Sequence, residues 1–204
     1  MAELKSLQLP DVDEGQINLR KILTQIGIGL LLLMISMALV GYYFQQPLIN
    51  LGQSFVKTFG PFGVALGFFI PDAFTIPFPN DAFTFLGLQG GLSFWECVVW
   101  GSAGSLLGGV VGFWIGRLLG TTQWMINFFR GRGAEAYAIT RRYGLVALAI
   151  AAFTPIPYSI VCWACGAVAI RFRHFLLISL LRIPRVALYL WLIQLGFISM
   201  PTPT

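Results

Sequence analysis

Two carboxylates and two guanidiniums stand where an otherwise apolar chain has little reason to carry charge. Asp72 and Asp81 flank the stretch Pro77-Phe-Pro79, and Arg182 and Arg185 lie three residues apart in the last apolar run. A carboxylate at the centre of a bilayer costs ~2.5–3.5 kcal/mol on insertion scales, so each should be paired, protonated or turned to water. Arginines at i and i+3 share a helix face, and their planar forks fit a carboxylate or a phosphate bidentately. The chemistry open to this set is charge handling inside a membrane: recognition of a phosphate headgroup, or uptake and release of a proton. There are plainer readings. Asp81, after Asn80, suits a cap on a returning half-helix, and Arg182 and Arg185 could snorkel to an interface. Asp72 precedes the break and has no evident capping role, so it is the stronger candidate for proton coupling.

The membrane setting follows from composition. The chain is 57% hydrophobic and 10% charged over 204 residues, whereas a soluble domain carries about a quarter charged residues. Ile22 to Phe44 has no charge, enough to span a ~30 Å hydrocarbon core. It is too long for a signal-peptide core and reads as a retained first span. Further apolar runs cover 62–92, 93–119, 144–170 and 175–199. The expected fold is all-α: a polytopic helical membrane protein. The organisation reads as a polar tail over 1–21, a first span with its connector over 22–57, a membrane domain over 58–199 and a short tail over 200–204.

Two of the runs interrupt themselves alike. Residues 73–79 read AFTIPFP and residues 152–158 read AFTPIPY, placing Pro77, Pro79, Pro155 and Pro157 where an unbroken span would need backbone donors. The limbs before the breaks, Phe62–Ile70 and Gly144–Thr154, would rise roughly 13 and 16 Å as helix, about half a membrane. A segment that goes halfway and turns back is tolerated only where protein or a water-filled cavity surrounds it. Charge favours this re-entrant reading. With both segments re-entrant, the basic 117–142 region falls on the same side as Arg20 and Lys21, as the positive-inside rule requires. The two hairpins then enter from opposite faces as an inverted repeat, with a site between their tips. This topology places the N-terminus in the cytoplasm of a cell-membrane protein.

Between the hairpins runs GSAGSLLGGVVGFWIGRLLG. Gly104, Gly108, Gly112, Gly116 and Gly120 recur every four residues and give a bare helix face for close backbone packing. The face could hold the fold together, slide against a moving hairpin or bring two copies together. Residues 121–142 alternate Arg130, Arg132, Arg141 and Arg142 with Trp124, Phe128 and Phe129, as expected of an interfacial helix and turn. Glu96 reads as interfacial too.

Several functions lack support. Cys162 and Cys165 fit a CxxC spacing but lie in an apolar segment, where small cysteines are ordinary packing residues. His174 has no partner at metal-ligand spacing. No nucleophile–base constellation, phosphate-cradling loop or nucleic-acid motif appears, so no enzyme, cofactor, metal or nucleic-acid partner is expected. Membrane lipids are the expected partners, with protons as a candidate second.

These motifs together resemble a known family. An acidic residue precedes a Pro-x-Pro-x-Asp break (Asp72, Pro77, Pro79, Asp81). Then come a glycine-rich span ending in Gly-Phe-Trp-Ile-Gly, the run Phe-Thr-Pro-Ile-Pro-Tyr at 153–158, and an arginine pair in the final helix. The chain resembles the DedA/VTT (SNARE-associated) superfamily over about residues 58–199, most of all its YqaA-like branch. The resemblance implies a polytopic α-helical protein with two opposed re-entrant hairpins. It also implies transport or scrambling of phospholipid or polyprenyl-phosphate lipids, with proton coupling through the first-hairpin carboxylates in bacterial members. Many bacterial members carry arginines around the second-hairpin proline, where this chain has Ala152 and Tyr158. Arg182 and Arg185 are therefore the remaining candidates for phosphate recognition. The same elements could instead carry a small ion or a proton-coupled solute, or form a membrane scaffold without transport.

Overall fold

In a computed structural model describing the backbone of residues 19–76, 79–153 and 158–198, the protein is helical, with no strand among those residues. Pro77, Pro155, Pro157 and the tails 1–18 and 199–204 lie outside the described residues. Side chains are described from residue 46 to 195, except at Leu48, 77–78 and 154–157. The helices are α1 (Leu19–Phe74), α2 (Asp81–Gln89), α3 (Phe94–Leu119), α4 (Gln123–Arg130), α5 (Ala134–Tyr143), α6 (Leu145–Phe153), α7 (Tyr158–Ala167), α8 (Phe172–Ser179) and α9 (Arg182–Ile198). Three stretches are long and apolar enough to cross a membrane: Ile49–Phe74, Phe94–Leu119 and Phe172–Leu195. Large apolar side chains such as Trp95, Val99, Leu107, Trp114 and Leu118 point outward from α3, the expected finish of a helix facing lipid. The protein is an all-α, polytopic membrane protein.

The first broken segment differs from the sequence expectation. The helix does not start afresh after the polar connector, and its limb is not limited to Phe62–Ile70. α1 runs on through Gln45, Gln46, Gln53 and Lys57 to Phe74, because glutamine and lysine are sound helix formers and polarity alone ends nothing. From Ile49 to Phe74 it has 26 residues, about 39 Å of rise. The irregularity falls at Gly60, which takes a left-handed φ of 57° immediately before Pro61. A residue before proline is disfavoured in right-handed helix, and glycine can leave that region without a Cβ clash. α1 ends where Thr75 turns left-handed at φ 56°.

The chain divides into two compact units. Among the described residues, one comprises 19–68, 79–105 and 182–198, and the other comprises 69–76, 106–153 and 158–181.

In the first unit, α2 lies along α1. The Phe83 ring fills the space beside Gly67, and Gly52 admits the backbone of Leu86 and Gly90 at 2.8 Å from an added Cβ. As α2 advances from Phe83 to Gly90, its contacts retreat from Gly67 to Gly52, so the two helices run in opposite directions. α3 begins in a reciprocal cap. The Ser93 backbone N–H and hydroxyl donate to Glu96 Oε2 at 2.8 and 2.7 Å, and the Glu96 N–H donates to Ser93 Oγ at 3.3 Å. Two orphan donors at a helix start are thereby satisfied. α9 packs Val186 on Val64 and Phe68 of α1, and Leu190 on Cys97 and Val98 of α3.

In the second unit, α6 and α7 have nine and ten residues and bury Leu148, Ala151 and Ala152 with Val161, Cys162 and Cys165 around Phe113. α4 is amphipathic: Met125, Ile126 and Phe129 pack on Tyr137 and Trp163 while Trp124 stays exposed. Thr122 caps it by accepting from the Met125 N–H. At the end of α3, Arg117 Nη2 donates to the Ile170 carbonyl at 2.5 Å, with its guanidinium over the Phe113 ring.

The last span is also not one helix. α8 stops at Ser179 and α9 starts at Arg182. Pro184, the third residue of α9, has no N–H to give the preceding turn. The chain closes the gap with a short turn, Leu181 N–H donating to the Ile178 carbonyl.

Candidate functional site

The glycine face is occupied within the chain. In the first unit, a Cβ on Gly104 would strike the Ala65 carbonyl of α1. In the second, one on Gly108 would come 2.7 Å from the Phe69 carbonyl oxygen and 2.9 Å from the Asp72 Cβ. Gly112 faces the Trp163 ring at 3.0 Å, and Gly116 meets the Trp163 carbonyl. Gly166 of α7 returns the contact against the Phe113 carbonyl and the Arg117 nitrogen. Backbone lies on backbone here, as small-residue faces permit. Gly104, Gly108, Gly112 and Gly116 each meet another part of the chain itself.

In the first unit the buried charge gathers around α9. Because α9 starts at Arg182, both arginines sit in its first turn, where the positive end of the helix dipole disfavours them. They are nonetheless buried, 3% and 9% exposed, so acceptors must hold them. Arg182 Nε donates to Ser105 Oγ at 2.7 Å. Arg185 Nη2 reaches Asp81 Oδ2 at 3.5 Å, and its guanidinium lies 4.5 Å from the Tyr189 ring centre. The ring, one turn along α9, offers the cation a π face. Snorkelling is therefore not how these arginines are accommodated.

Asp81 is not a cap. The N-cap of α2 is Asn80, which makes no side-chain capping bond. Asp81 occupies the first helical position. Its side chain turns to Arg185, while its carbonyl accepts from the Thr84 hydroxyl at 2.8 Å. The reason offered for ranking Asp81 below Asp72 falls away.

Asp72 belongs to the second unit. It is 5% exposed in the last turn of α1, beside Gly108 and Gly112 of α3. One residue on, the Ala73 carbonyl accepts from Trp163 Nε1 at 2.9 Å, which satisfies a carbonyl that the ending helix would leave orphaned. Pro79 is exposed, and its carbonyl accepts from the Ala82 N–H at the start of α2. Cys97, Cys162 and Cys165 are buried, and none of them is in a disulfide.

Sequence reasoning missed Ser102, Ser105, Tyr189 and Trp163. The first two had a signal. The motif GSAGS puts two hydroxyls at i and i+3 on a face otherwise bare. Tyr189 and Trp163 had none, being single aromatics among many.

The chain is 29% identical over 136 residues to "Uncharacterized protein MJ0201" of Methanocaldococcus jannaschii, a match covering 66% of this chain and 81% of that protein. No solved structure matches. The VTT domain matches residues 76–195, from the first break through the arginine helix. With more than half its length inside that match, the chain belongs to the VTT domain family.

Proposed function

We propose that this chain is a lipid transporter or scramblase, passing phospholipid or polyprenyl-phosphate headgroups along a polar path that includes Asp72, Asp81, Arg182 and Arg185. The observation that carries this reading is the buried set Asp81–Arg185 and Arg182–Ser105, in helices whose outer faces are apolar. Buried ion pairs add little net stability, so their presence in an apolar core favours a working role. The VTT family membership supports the same reading. Purified protein in liposomes with fluorescent lipids, read by dithionite quenching beside an ion-flux control, tests it. Accelerated lipid exchange without ion flux is expected. Ion flux without lipid exchange would move the assignment to a small-ion carrier.

The path needs half-length elements. α2 and α6 have nine residues each and α7 has ten, roughly 13–15 Å of rise and about half a membrane. This supports two re-entrant hairpins entering from opposite faces of the cell membrane, with the N-terminus cytoplasmic. Cysteine-accessibility labelling on a cysteine-free background is expected to reach residues 50–57 and 90–92 from outside and 130–140 from inside. Labelling of 90–92 from the cytoplasm would mean a full crossing and would defeat the inverted repeat.

A proton-coupled solute carrier is the second reading, favoured by the buried Asp72. Asp72→Asn keeps the side chain's size and removes its charge. It is expected to fold as the parent does and to lose any dependence of transport on a pH gradient. Retained pH-driven transport in this variant would exclude Asp72 as the coupling group.

A further inference from the structure

Among the described residues of the first unit, three polar side-chain atoms are buried without a hydrogen-bond partner: Asp81 Oδ1, Arg185 Nε and Ser102 Oγ. Native interiors rarely leave such groups unmatched, and one left so calls for an explanation. Here there are three, and independent contacts bring them to one level of the bundle. Asp81 and Arg185 already touch through Oδ2 and Nη2. Ser105 bonds Arg182, while Cys97 and Val98 pack on Leu190. Going back eight residues along α3 therefore matches going forward eight along α9, so the helices run antiparallel. One turn back from Ser105 is Ser102, and one turn on from Arg182 is Arg185, which places both on the same rung. From α2, the Thr84 methyl lies 3.3 Å from a Cβ built on Gly101, bringing the Asp81–Thr84 turn beside Ser102.

The unmatched atoms differ in kind. Arg185 Nε can only donate, Asp81 Oδ1 as a carboxylate oxygen can only accept, and the Ser102 hydroxyl can do either. A bare phosphate monoester would suit Arg185 and Ser102, yet it would set its charge against Asp81. A group that satisfies all three presents phosphate oxygens and, within a few bonds, an N–H or O–H donor.

We infer that Asp81, Ser102 and Arg185 form a headgroup site selective for phosphodiesters carrying a hydrogen-bond donor, such as ethanolamine or glycerol, over those without one, such as choline. This rests on the lipid-translocation reading above and narrows its substrate. Phosphate oxygens take Arg185 Nε and Ser102 Oγ, and the ammonium or hydroxyl donates to Asp81 Oδ1. Ethanolamine and choline headgroups carry the same net charge and the same phosphate. They differ in the N–H bonds that only the former can give to the carboxylate.

The test is translocation of fluorescent phosphatidylethanolamine, phosphatidylglycerol and phosphatidylcholine, labelled on the acyl chain, by the full chain in liposomes of one composition. Ethanolamine and glycerol lipids are expected to move about tenfold faster than choline lipid, the size of one hydrogen bond to a charged group. Asp81→Asn, which keeps shape and an acceptor but loses the charge, is expected to remain folded and to reduce the ethanolamine–choline ratio to about two. Ser102→Ala is expected to slow all three lipids while keeping their order. Equal rates for the three lipids in the parent protein would overturn the inference and leave lipid translocation standing. An undiminished ratio in Asp81→Asn would overturn it as well, by removing the carboxylate as the discriminating group. Movement of none of them would overturn the translocation reading and this inference together.

Discussion

Replacing Gly116 with leucine is expected to leave almost no folded protein in detergent. The first added carbon would land on the Trp163 carbonyl and lie 2.6 Å from its carbon, both backbone atoms of α7. A side chain in the way can change rotamer, but a helix backbone can only move away. That separation would also open the reciprocal contact of Gly166 with Phe113 and Arg117. Overpacking a core costs about 1–3 kcal/mol even where side chains can adjust, and here there is no such adjustment. Alanine at the same positions should give a graded series. Gly104 and Gly116, which face backbone, should fail before Gly112, which faces the Trp163 ring at 3.0 Å. Gly131→Ala is the control, since its nearest neighbour is the Asn127 carbonyl oxygen at 3.6 Å. Thermal unfolding and size-exclusion yield read the outcome. A normal melting temperature for Gly116→Leu would show that α3 and α7 do not rely on this contact.

Asp81→Leu is expected to destabilise the protein by about 3–5 kcal/mol because, unlike Asp81→Asn, it leaves the buried Arg185 guanidinium with no oxygen acceptor from α2. The Tyr189 ring would remain as a weaker partner, too little to balance a buried charge. Adding Arg185→Met removes the uncompensated charge and restores apolar volume, so the double variant should recover most of the folded yield. Recovery of stability should not bring recovery of transport, since two of the three headgroup contacts, Asp81 and Arg185, are then gone. A double variant as unstable as Asp81→Leu would show that the pair is not coupled. A stable double variant that still moves lipid would remove Asp81 and Arg185 from the path.

Class, packing face and charge content were legible in the sequence. Uninterrupted apolar runs specify membrane helices because an unpaired backbone in hydrocarbon is too costly for anything but helix or closed barrel. The four-residue spacing from Gly104 to Gly116 specified a bare stripe, since residues i and i+4 stack on one face. Arg182 and Arg185 were marked by being charged where charge is expensive. The tertiary structure alone decided what met these features. Gly104 meets α1 and Gly116 meets α7, which no local pattern encodes. Arg185 takes Asp81 rather than remaining at an interface, because α2 brings that carboxylate back after the break. Asp81 itself read as a cap from its neighbours, and only the approach of α9 shows that its side chain is engaged elsewhere. The start of α9 at Arg182 could have been inferred from Pro184, whose missing N–H unsettles the turn before it. Ser102 became informative only when the antiparallel register of α3 and α9 set it level with Arg185, for a hydroxyl on a small-residue face has no stated partner until another helix supplies one.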